Sequence, residues 1–174
     1  MGMDVHGKAP VNEKGKYFRR GIYGWPPLAE CVLTACPAEC APCTHWRSND
    51  GDGLDGPQSI ALADRLDALI ADGIIAAYVK ERDEYIAGLP DQPCRFCNGS
   101  GVRTDMGKDV PYTFPPSQTV EERLARWHKH WGSTCNGCGG RGNTPPPIKD
   151  YELEVSDVVQ FAAFVRVSGG FEIW

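Results

Sequence analysis

Two short segments, "CRFCNGSG" at Cys94 to Gly101 and "CNGCGGRG" at Cys135 to Gly142, share the spacing Cys-x-x-Cys-x-Gly-x-Gly, with thirty-seven residues between Cys97 and Cys135. One such knuckle offers two sulfurs, which is half of what a metal ion needs. Two facing knuckles offer four, the tetrahedral set of a closed zinc site. The glycines fit the same geometry: after each second cysteine the backbone must turn sharply and bring amide hydrogens to the sulfurs. The spacing therefore predicts one Zn2+ ion held by Cys94, Cys97, Cys135 and Cys138, tying residues 94–142 into a lobe. Four thiolates leave no open position for water, so this metal is expected to staple the fold rather than to catalyse.

Both segments resemble the Cys-x-x-Cys-x-Gly-x-Gly repeats of the DnaJ-type chaperone cysteine-rich zinc finger, where two repeats form each zinc centre. The resemblance implies the same four ligands. It stops there, since this chain has two repeats rather than four, a long insert between them and no His-Pro-Asp signature. Beyond the knuckles, "GKYFRR", "SNDGDGLD" and the terminal "GGFEIW" make the whole chain similar to small proteins of bacteriophages and prophages. That resemblance implies a phage setting, in which proteins of this size often bind host proteins.

A chain of 174 residues is long enough for one domain with a core of its own. Mean hydropathy is −0.37 and no apolar run approaches the roughly 20 residues of a membrane span, so no membrane partner is expected. The first twenty residues lack an apolar h-region, and a cytoplasmic location is the expectation. In a reducing cytosol, eight cysteines read as metal ligands or buried thiols rather than disulfides. The formal charge of −5 argues against a protein that coats nucleic acid by neutralising phosphates.

The element pattern predicts an α+β fold: a small, irregular zinc-stapled domain with one main helix pair and short strands, spanning residues 1–174. A short helix should follow Pro26 and Pro27, with Leu28, Cys31, Val32 and Ala35 on one face. The helical core, 55–90, starts at a candidate cap, Asp55, and carries Leu62, Leu66, Leu69 and Ile70 at helical spacing. Asp72-Gly73 can interrupt it before Ile74, Ile75, Tyr78, Val79, Tyr85 and Ile86 continue an apolar face. Thr119 and Glu122 form a capping-box signature ahead of a stripe of Val120, Leu124, Trp127 and Trp131. A strand-helix-strand is expected over 150–174, from "YELEV", a helix capped by Ser156, and "FEIW".

Three further constellations are candidate sites. Cys31, Cys36, Cys40 and Cys43, with His45 beside them, supply enough ligands for a second zinc, although their spacing is irregular and they read equally as small buried thiols. "CAPC" within that run also has the form of a redox pair, but no helix signal follows it. The loop around "SNDGDGLD" gathers Trp46, Arg47, Asn49, Asp50, Asp52 and Asp55, which suits a binding loop or a hard-cation site, or simply a turn that caps the next helix. Lys16, Tyr17, Phe18, Arg19, Arg20, Tyr23 and Trp25 could contact nucleic acid by stacking and phosphate pairing. His128 and His130 point in different directions on a helix and make a poor metal pair.

Together these features suggest a zinc-binding interaction or regulatory protein acting on a host or phage protein, with a host-defence inhibitor as one form, rather than an enzyme. The alternatives are a nucleic-acid-binding zinc finger and a metal-dependent hydrolase or nucleotide-binding protein built on the "SNDGDGLD" loop.

Overall fold

The computed structural model describes residues 2–103 and 119–174, apart from the side chains of Val120, Arg123, Trp127, His130 and Trp131. Helices combine with small antiparallel sheets, as an α+β fold requires. The chain divides into two compact units, Met1–Gly88 with Ile148–Trp174, and Leu89–Pro147.

In the first, or main, unit, strands β1 (Gly2–Gly7), β2 (Tyr17–Gly21), β3 (Gly53–Asp55) and β6 (Gly170–Ile173) form one antiparallel sheet in the order β2-β1-β6-β3. Val5 lies opposite both Phe18 and Ile173, and Leu54 lies opposite Phe171. These residues share one face, because side chains alternate along a strand. Val5, Leu54, Phe171 and Ile173 are fully buried on it, whereas His6, Tyr17 and Arg19 are exposed on the other. A sheet with one wet face and one dry face reads in this alternating way.

Helices α1 (Trp25–Ala35), α2 (Pro37–Cys40), α3 (Gly56–Ala71), α4 (Ile74–Ala87) and α6 (Val155–Val167) complete the unit. Asp55 starts α3 through a full capping box: its carboxylate accepts the Gln58 amide at 2.9 Å while the Gln58 side chain accepts the Asp55 amide at 2.9 Å. Gly73, at φ 74°, separates α3 from α4, a left-handed position that costs glycine nothing. Phe161 of α6 is the hub of the core, edge-on to Phe18, Trp25, Trp46 and Phe171 at centroid distances of 5.3 to 6.2 Å. Rings in this arrangement gain about 0.5–1.5 kcal/mol per pair beyond the area they bury.

Two local expectations are corrected. "YELEV" is not a strand, and the residue that caps α6 is Glu154 rather than Ser156. Asp157 provides the reason, since its carboxylate accepts the Glu154 amide at 3.0 Å and the helix begins two residues earlier. The Ser156 hydroxyl is instead used on the Glu154 carboxylate. The apolar face expected along α4 is covered only in part: Ile75 and Ile86 are buried, but Ile74 and Tyr85 are exposed.

The second, or knuckle, unit holds strands β4 (Gln92–Pro93) and β5 (Asn143–Thr144), which pair with each other, and helix α5 (Val120–Trp131). Thr119 and Glu122 close the predicted capping box at its start. The side chains of Val120, Trp127 and Trp131 in the expected stripe, and of His130, lie outside the described residues. His128 sets its Nε2 against the Arg103 carbonyl at 3.0 Å. No helix among the described residues is long and apolar enough to cross a membrane.

Candidate metal centre

The knuckles face each other with a near two-fold correspondence, each residue of the first matching one of the second. The Cys94 amide donates to the Gly142 carbonyl at 2.7 Å, and the Cys135 amide donates to the Gly101 carbonyl at 2.9 Å. Gly99, Gly101, Gly140 and Gly142 all have φ between 73° and 86°. At Gly101 and Gly142 the glycine is required twice over. Besides the left-handed backbone, a Cβ at Gly101 would run into the Gly140 carbonyl, and one at Gly142 into the Gly99 carbonyl. Asn98 shares the left-handed position that glycine takes at Gly139, as asparagine tolerates it better than most residues.

This backbone brings the four sulfurs together. Cys94 and Cys135 Sγ are 3.8 Å apart, as are Cys97 and Cys138 Sγ, and all four lie within 4.8 Å of one another. With a metal–sulfur distance of about 2.3 Å, a tetrahedral zinc site has sulfurs about 3.8 Å apart. The four thiols can therefore hold a metal ion such as zinc. Backbone amides complete the surroundings, Gly101 donating to Cys97 Sγ and Gly142 to Cys138 Sγ, both at 3.3 Å. Such N–H···S bonds disperse thiolate charge. Burial pushes the Cys135 thiol up to about 11. It acts in the same direction on Cys138, but the Gly142 amide and the neighbouring thiols outweigh it and bring that group down to about 7. A bound cation displaces the protons, so metal retention should weaken as pH falls.

Phe96 was not singled out by sequence. Its ring covers the second knuckle at Gly137, where a Cβ would collide with it, and it packs on the four cysteines. A visible signal existed, for Phe96 and Gly137 occupy matching positions in the repeat.

The other cysteines do not converge. Among the described residues, Cys94, Cys97, Cys135 and Cys138 form the one group of three or more potential ligands close enough to share an ion. Cys31, Cys36, Cys40 and Cys43 are instead buried in the main core, and His45 pairs through Nδ1 with Asp50 at 2.6 Å. Burial pushes Cys31 and Cys36 up to about 11, and Cys40 and Cys43 up to about 12. Enclosed in the core, these thiols pack as small apolar residues.

The "SNDGDGLD" loop resolves into turns and caps. Trp46 is a core residue whose carbonyl accepts the Trp25 indole N–H at 2.7 Å. Asp55 caps α3, and Asp50 accepts the Ser48 hydroxyl at 2.9 Å. Asp52 accepts the Thr44, His45 and Gly53 amides at 2.7, 2.9 and 2.8 Å. Desolvation works against its charge, but those amide bonds prevail and hold it at about 2. A carboxyl depressed in the folded state stabilises above its unfolded value, and that contribution is lost as pH falls through about 2. Asp52→Asn is accordingly expected to cost about 1–3 kcal/mol at about pH 7. The gap from wild type should close towards about pH 2, which urea unfolding at the two pH values measures. Arg47 pairs with Glu30, and Asn49 lines a small recess beside Met3 and Ile22.

The basic and aromatic run is similarly committed. Lys16 pairs with Glu13, Tyr17 and Arg19 meet Asp4, and Arg20 pairs with Asp157. Phe18 and Trp25 belong to the core, and Tyr23 sits edge-on to Tyr151.

A feature no local pattern announces lies between α1, α4 and the segment after Ile148. It is an open apolar groove of about 500 Å³, walled by Pro26, Pro27, Tyr78, Tyr85, Ile86 and Tyr151, with the Glu30–Arg47 ion pair at its rim. Tyr85 is 68% exposed there. No family model, curated protein or solved structure matches the chain. What the knuckles and the groove can do follows from their own residues.

Proposed function

We propose that the chain is a zinc-stapled interaction protein that regulates a protein partner, with Cys94, Cys97, Cys135 and Cys138 as ligands of a structural Zn2+. The groove of the main unit is the observation that carries this reading. Tyrosine and arginine side chains beside an apolar recess are the groups that anchor protein interfaces. Among the described residues lining the groove, Glu30 is the one carboxylate, and Arg47 pairs with it. The matching partner segment is extended, with apolar side chains for Tyr78, Tyr85 and Ile86 and opposite charges to meet Glu30 and Arg47. A phage-encoded cytoplasmic regulator of a host protein, such as a host-defence inhibitor, is the concrete form proposed, and it draws on the sequence resemblance alone. The likeness to the DnaJ-type finger is taken to extend to the zinc and no further.

The residues expected for the alternatives have partners of their own. Asp50, Asp52 and Asp55 accept hydrogen bonds as turn and cap residues, Arg19 and Arg20 pair with Asp4 and Asp157, and Trp25 is buried, which favours the groove as the binding surface.

The test is affinity capture from host cells on wild-type protein and on Tyr85→Asp, followed by titration of any retained protein with both. Because Tyr85 is exposed, the substitution should leave the fold intact. Wild type should retain a discrete protein whose direct affinity falls about tenfold or more in the variant, as a hot-spot aromatic requires. Identical retention by both, or no direct binding, overturns the reading.

A further inference from the structure

We infer that the groove of the main unit takes a proline-rich segment in the polyproline II conformation. This rests on the reading of the groove as a protein-binding surface and names the class of segment it binds. Tyr78, Tyr85 and Tyr151 supply much of the wall, together with Pro26 and Pro27. These rings are held in place: Tyr151 stands edge-on to Tyr23 at a centroid distance of 5.4 Å, and both prolines sit in the first turn of α1, directly after the buried Trp25. Flat, preordered rings of this kind form slots that receive pyrrolidine rings at little entropic cost, because a proline-rich segment already holds its bound shape.

The hydrogen-bonding character of the lining narrows the ligand further. Tyrosine hydroxyls and the Arg47 guanidinium are donors, whereas Glu30 is the one carboxylate among the described lining residues. A polyproline II segment is the complement of such a wall. Its carbonyls are unbonded and point outward, and its prolines carry no N–H that would need an acceptor. A helix keeps its carbonyls inside and could not use the donors. A strand would need a sheet edge to pair with, and none of the described residues lining the groove belongs to a strand. The charges at the rim suit the same ligand. The Glu30 and Arg47 side chains are both more than half exposed, so their ion pair is weak, and charged residues flanking the prolines can exchange with either partner.

The test uses the intact zinc-loaded chain and fluorescence anisotropy with a short labelled polyproline peptide, and an alanine–serine peptide of the same length as control. Wild type should bind the polyproline peptide about tenfold or more tightly than the control. Tyr85→Ala should weaken that binding about tenfold or more, and Tyr85→Phe, which keeps the ring but lacks the hydroxyl donor, should fall between. Arg19→Glu in β2, which does not line the groove, should have little effect. No binding of the polyproline peptide, equal binding of the control, indifference to Tyr85→Ala or an equal loss with Arg19→Glu overturns the inference. Competition against a protein partner captured from host cells separates this inference from the groove reading beneath it. A partner that the peptide displaces upholds both. A partner lost with Tyr85→Asp that the peptide does not displace leaves the groove reading standing and overturns the proline-rich class, and the absence of both partner and peptide binding overturns the two together.

Discussion

Cys94→Ser is expected to abolish stoichiometric zinc binding and to unfold the knuckle unit. Three thiolates cannot close the tetrahedral shell, and the four cysteines with Phe96 packed on them are the buried apolar cluster of that unit among the described residues. Structural zinc supplies about 10–16 kcal/mol of apparent binding energy in small finger peptides, far more than so small an apolar cluster provides. Bound zinc should fall from one equivalent to below about a tenth, and protease should cut within Leu89–Pro147 while the main unit stays protected. Cys40→Ala provides the contrast. It removes a buried thiol of the main core and should leave zinc content unchanged, since Cys40 is not among the sulfurs that converge.

The second large effect is expected at Phe161. Its ring touches the aromatic groups of β2, α1, the loop after α2 and β6, so no small movement can fill the space it leaves. Phe161→Ala should destabilise the main unit by about 3–5 kcal/mol, a sizeable part of the roughly 5–15 kcal/mol by which domains are stable. Urea unfolding followed by tryptophan fluorescence reads this directly, because Trp25 and Trp46 both pack on Phe161. A loss under about 1 kcal/mol would mean that the aromatic cluster relaxes around the gap.

Local chemistry was legible and non-local chemistry was not. The knuckles could be read because ligand spacing and glycine placement are set within eight residues. Asp55 and Thr119 could be read as helix caps for the same reason, each cap being decided three residues away. The second cysteine group stayed open because a thiol suits both a metal and an apolar core. Only the convergence of sulfurs separates the two uses, and that depends on how the chain returns on itself. Asp52 posed the same ambiguity: oxygen donors for a cation are also acceptors for amides, and here the Thr44, His45 and Gly53 amides claim them. The pairing of β1 with β6 joins Val5 to Ile173 across almost the whole chain, and the groove assembles α1, α4 and the segment from Ile148.

The most direct measurement is elemental analysis of the purified wild-type chain, paired with protease mapping before and after chelation. One zinc per chain, with the knuckle segments 92–103 and 132–144 protected when loaded and cleaved after the metal is stripped, is the predicted result. A chain that carries no zinc while those segments stay equally protected would contradict the staple at Cys94, Cys97, Cys135 and Cys138.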